Sequence, residues 1–125
     1  MAVASDQARI TVALLRLAVG AVSALAPRVL AKASDLDPEA KPEMLLPMRL
    51  YGACNLAIAA TLLQGDEQEQ QRWLGYGVAI DLFDVAAVLG GGARGELPKR
   101  AVVVGTTSAL GLAALGVLAQ EATRT

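Results

Sequence analysis

The chain is 125 residues long, a single-domain length, with 54% hydrophobic and 18% charged residues and a formal net charge of −1. Near-neutral charge, with no run of Lys and Arg interleaved with aromatics, excludes a nucleic-acid-binding surface. A single cysteine, Cys54, and no histidine exclude an internal disulfide, a thiol pair, imidazole haem ligation and the usual general base, so no cofactor and no metal site is expected.

The charges are segregated: long apolar stretches alternate with short charged ones, the pattern expected when lipid solvates the former and water the latter. The first apolar segment runs from Ile10 to Pro27 and contains Arg16. Ala24-Leu25-Ala26 resembles a signal-peptidase site, but Pro27 follows it directly, and the leading segment has only Arg9 as a cation with Asp6 beside it. A retained helix is therefore expected. A loop from Arg28 to Lys41 follows, in which Asp37-Pro38 reads as an N-cap and first helical residue.

The second segment runs from Met44 to Leu63, with Arg49 near its start and Pro47 in its first turns, where a missing N–H costs little. A polar loop, Gly65 to Arg72, leads to the third segment, Trp73 to Leu89, which carries Asp81 and Asp84. Gly90-Gly91-Gly92 is expected to end that helix; it lacks the pattern of a phosphate-binding loop. The fourth segment, Ala101 to Ala119, has no charge at all. Each segment matches about 30 Å of hydrocarbon at about 1.5 Å per residue. The predicted fold is all-α: one transmembrane bundle of about four helices spanning residues 1–125.

Loop cations set an expected orientation in the cell membrane. Arg28, Lys32, Lys41, Arg49, Arg94, Lys99 and Arg100 lie on or beside the first and third loops, against Arg9, Arg72 and Arg124 on the other side. The positive-inside rule then puts those two loops in the cytoplasm and both termini on the outer, periplasmic side. Trp73 and Tyr76 at one end of the third segment, and Tyr51 near one end of the second, suit headgroup depth.

Four intramembrane charges are the candidate site. Asp81 and Asp84 are three apart and share a helix face, with Gly77 on the same face. Buried charges are costly unless paired, and two arginines balance two aspartates. Matching depths predict Arg16 with Asp81 and Arg49 with Asp84, each through the planar guanidinium fork. Such pairs fix helix order and register; a proton relay or a pocket for a lipid headgroup is the functional alternative. Among softer positions, Asn55, Thr106, Thr107 and Ser108 can bond across helices or to their own backbone. Gly105, Ala109 and Ala113 form a small-residue ladder that serves as a candidate association surface or is used within the bundle. Cys54 is expected to be a small buried packing residue.

Leu15-Arg16 followed by Gly20 and Pro27, then Arg49-Leu50-Tyr51-Gly52-Ala53, then Asp81-Leu82-Phe83-Asp84, resemble small actinobacterial integral membrane proteins. The ordering looks like a Luc-type accessory subunit of mycobacterial Mce lipid-import complexes. The resemblance to the small actinobacterial proteins covers roughly the first 90 residues and implies a four-helix membrane fold with no assigned activity. Small multidrug transporters share the helix number and length but carry a carboxylate in helix one, where this chain has Arg16. The expected function is a non-catalytic accessory or structural subunit of a larger membrane assembly, one handling lipid transport, with the bilayer and other membrane subunits as partners. The alternative is a small proton- or ion-coupled transporter using Asp81 and Asp84. A lipid- or quinone-handling enzyme ranks below both, because no nucleophile–base set is evident.

Overall fold

A computed structural model describes the backbone of residues 2–124 and the side chains of residues 6–122. Five α-helices follow in order: α1 Ala2–Leu25, α2 Pro27–Ala33, α3 Leu45–Gln64, α4 Glu67–Ala93 and α5 Lys99–Arg124, with a 3-10 turn at Pro42–Met44 before α3. No strand occurs among the described residues. All but α2 are long and apolar enough to cross a membrane. Leu14, Leu50, Leu82, Phe83 and Leu118 stand exposed on the outside of the bundle. Apolar side chains facing outward along all four long helices are what a lipid solvent requires.

Helix boundaries follow local chemistry. Pro27 starts α2 instead of ending α1: it has no N–H to give, and it holds Ala26 out of the helical region, at φ −136 and ψ 56. α2 ends on Asp35 in the left-handed region at φ 60. There Leu36 N donates to Ala31 O and Asp35 N to Lys32 O, the paired bonds of a Schellman cap. Asp37 Oδ1 accepts from Glu39 N and Ala40 N, so Asp37-Pro38 caps a single turn and does not open the next spanning helix. That helix begins at Leu45, and Pro47 in its first turn leaves no backbone bond unmade.

α4 starts well before Trp73. Asp66 caps it by accepting from Glu69 N at 2.8 Å, and Glu67 and Glu69 sit in its first turn, where the helix dipole favours anions. It also runs through Gly90-Gly91-Gly92, contrary to the expectation of a stop there. The stop is Gly95 at φ 73, with Glu96 N donating to Gly91 O and Gly95 N to Gly92 O. Two of the three glycines serve packing: a β-carbon at Gly92 would lie 2.6 Å from Val102 Cγ2, and one at Gly91 3.1 Å from Leu97 Cδ1.

The long helices form two tight pairs, α1 with α3 and α4 with α5. α1 also packs on α5, while α3 meets α4 over the least extensive of these contacts. α1 and α4 thus face each other across the diagonal. The α1–α3 crossing is backbone against backbone: a β-carbon at Gly52 would lie 2.5 Å from Ala24 N, and one at Gly20 2.8 Å from Gly52 O. Near the chain termini the two pairs close on a core of Val12, Ala13, Ile58, Leu62, Leu74 and Ala119. At that end Arg9 donates to Leu62 O, placing a cation on the last turn of α3. Trp73 and Tyr76 meet edge to face there, with centroids 5.2 Å apart.

Candidate functional site

Arg16 and Asp81 meet at the bundle centre. Arg16 Nη2 donates to Asp81 Oδ2 at 2.6 Å and Nη1 to Asp81 Oδ1 at 3.2 Å, the fork-to-fork geometry expected of the pair. Side-chain exposure is 2% and 1%, so both charges have left solvent. Nη1 also donates to Asn55 Oδ1 at 2.9 Å, and Asn55 Nδ2 donates back to Tyr51 O in its own helix. One guanidinium thereby ties α1, α3 and α4 together across the diagonal. Asn55 does bond across helices as its position suggested.

The second expected pair does not form. Arg49 is exposed in the second turn of α3, near the loop end, where headgroups and water can solvate it without a burial cost. Asp84 is half-buried with its Oδ2 enclosed, and that atom has no hydrogen-bond partner among the described residues.

Asp84 lies on the wall of a cavity of ≈ 540 Å³ between the two helix pairs, on the side of the first and third loops. The cavity runs from Val19 and Asp84 out to Ser34 and Leu36 after α2 and to Leu97 after α4. Ser23 lines it as well; this side chain is fully buried, and its Oγ has no partner among the described residues. Tyr51, half-buried on α3, also lines it.

The small-residue ladder of α5 points inward. Ala109 and Ala113 are buried, and a β-carbon at Gly105 would lie 3.2 Å from Val88 of α4. The ladder thus faces the bundle interior, and Gly105 and Ala109 form part of the cavity wall. Thr107 and Ser108 are exposed, and Thr106 Oγ1 is buried without a partner among the described residues. Cys54 is exposed on the outer face of α3 and is not a buried packing residue.

Sequence reasoning missed Ser23 and the cavity. A serine in an Ala-rich helix carries no distinctive signal, and a cavity between helix pairs depends on how the pairs splay. Compared with known proteins, the chain matches no family model, no curated protein sequence and no solved structure.

Proposed function

We propose that the chain is a non-catalytic accessory subunit of a larger membrane assembly that handles lipids or lipid-like amphiphiles. The supporting observation is how its central polar groups are used: Arg16, Asp81 and Asn55 are spent on one another, joining three helices into a rigid unit. A carboxylate held by both arms of an arginine fork joins helix to helix in one fixed geometry, which suits a structural lock. The mostly apolar cavity beside the lock fits the amphiphile part of the reading. The seven-to-three bias of loop cations orients the subunit in the plasma membrane with both termini outside. Native purification from the source membrane in mild detergent should recover the chain with stoichiometric partners; recovery of the free monomer alone would overturn the subunit reading. Reporter fusions after Gln120 and within Asp66–Gln71 should both read as external.

One observation favours a second reading, a small proton- or ion-coupled carrier. Asp84, unlike Asp81, has no cationic partner among the described residues and borders the cavity. A carrier would move solute in proteoliposomes containing this chain alone, whereas an accessory subunit would not.

A further inference from the structure

Two arginines and two aspartates enter the apolar segments, but only three of these charges lie inside the bundle. Arg16 and Asp81 neutralise each other, Arg49 is exposed, and Asp84 remains. With all three interior groups ionised, the centre carries one uncompensated negative charge. Among the described residues lining the adjacent cavity, Asp84 is the single carboxylate, and there is no Lys or Arg.

We propose that this cavity is a binding site for an organic ammonium ion, a monovalent cation on a compact apolar body, with Asp84 as its counter-ion. Charge is the first reason: one cation restores neutrality at a depth where an unpaired charge is costly. Size is the second. A space of ≈ 540 Å³ lies in the range of small-molecule pockets and far exceeds the needs of a proton or bare metal ion. Its walls are largely aliphatic, including Val19, Val22, Leu30, Val88 and Val104, and they call for an apolar body.

Hydrogen bonding is the third reason. An ammonium group only donates. Asp84 Oδ2 and Ser23 Oγ both lack a partner among the described residues, and both can accept. Tyr51 on the same wall is an aromatic residue, a type that attracts cations. An anionic amphiphile would set like charge against Asp84, and a neutral one would leave the carboxylate uncompensated. The site stands independently of whether the chain is an accessory subunit or a carrier.

The test is equilibrium dialysis of the full chain in detergent with labelled adamantylammonium. Adamantanol and adamantanecarboxylate, which have the same cage with no charge and with negative charge, serve as competitors. Saturable binding of the ammonium is expected, displaced by unlabelled ammonium and not by the other two. Asp84→Asn should weaken it about tenfold or more, while Asp84→Glu should stay within a few-fold of wild type. Ala87 lines the cavity one turn after Asp84; Ala87→Phe places a ring there while keeping every charge and should also abolish binding, so the test holds even if Asp84→Asn fails to fold. Absence of saturable binding to wild type, equal competition by the alcohol or the carboxylate, or undiminished binding to Ala87→Phe would each overturn the proposal.

Discussion

The guanidinium of Arg16 occupies the space that a side chain at Gly77 would need: a β-carbon there would stand 2.6 Å from Nη2 and 3.2 Å from Cζ. Gly77 lies one turn before Asp81, so the helix that supplies the carboxylate also clears room for its partner. A flexible side chain could swing aside, but Arg16 is pinned by Asp81 and Asn55. Gly77→Ala should therefore displace the guanidinium and destabilise the bundle by about 1–3 kcal/mol, despite the gain in helix propensity. A dodecylsulfate unfolding titration of wild type and variant measures this. An unchanged midpoint would show that the guanidinium relocates freely.

The two arginines should behave differently. Arg16→Gln leaves Asp81 buried without its cation and should cost about 3–5 kcal/mol, and Asp81→Asn should cost a similar amount. The double variant should lose less than the two single losses added, because each single change strands the other group. Arg49→Gln should change stability by no more than about 0.5 kcal/mol, since Arg49 is exposed and makes no ion pair among the described residues. Additive losses at Arg16 and Asp81, or a large loss at Arg49, would contradict the geometry.

Those two arginines also mark how far the sequence was legible. Four apolar stretches and the Arg16–Asp81 pair could be read from composition and depth, because lipid requires apolar spans and buried charge imposes pairing; the helices run past those stretches, α4 from Glu67 to Ala93, because polar end turns carry no apolar signal. Arg49 and Asp84 had matching depths as well. What depth cannot supply is rotation about the helix axis, and rotation leaves Arg49 at the surface. Gly90-Gly91-Gly92 misled for a related reason. Glycine breaks helices where it meets water, but here Leu97 and Val102 pack onto it and the helix continues to Ala93. The cavity at Asp84 and Ser23 had no sequence signal, because it is made by space between pairs and not by any one segment.

The end of α2 offers a stabilising change. Asp35 is the one non-glycine among the described residues with positive φ, at 60°. It occupies the position of a Schellman cap that glycine takes at no steric cost, as Gly95 does at the end of α4. Its side chain makes no hydrogen bond or ion pair among the described residues that glycine would forfeit. Asp35→Gly should raise stability by about 0.5–1 kcal/mol, and Asp35→Val should lower it by more than that. Melting of the two variants in the same detergent compares them directly; a less stable glycine variant would mean that the Asp35 side chain contributes through a contact of its own.

Glycines at two positions in the spanning helices should respond in opposite directions. At Gly52 an added β-carbon would sit 2.5 Å from Ala24 N and 2.6 Å from Gly20 O, and backbone atoms cannot rotate out of the way. Gly52→Ala should force α1 and α3 apart and cost about 1–3 kcal/mol or more. Because α3 carries Asn55 and α1 carries Arg16, the separation should also lengthen the bond between them. At Gly111 nothing lies within 4 Å of the added atom. Gly111→Ala should be neutral or stabilising by up to about 1 kcal/mol through helix propensity alone. The same unfolding titration on both variants tests the close α1–α3 crossing. Equal effects at the two sites would mean that the helices do not approach through Gly20 and Gly52, and that the crossing lies elsewhere along their length.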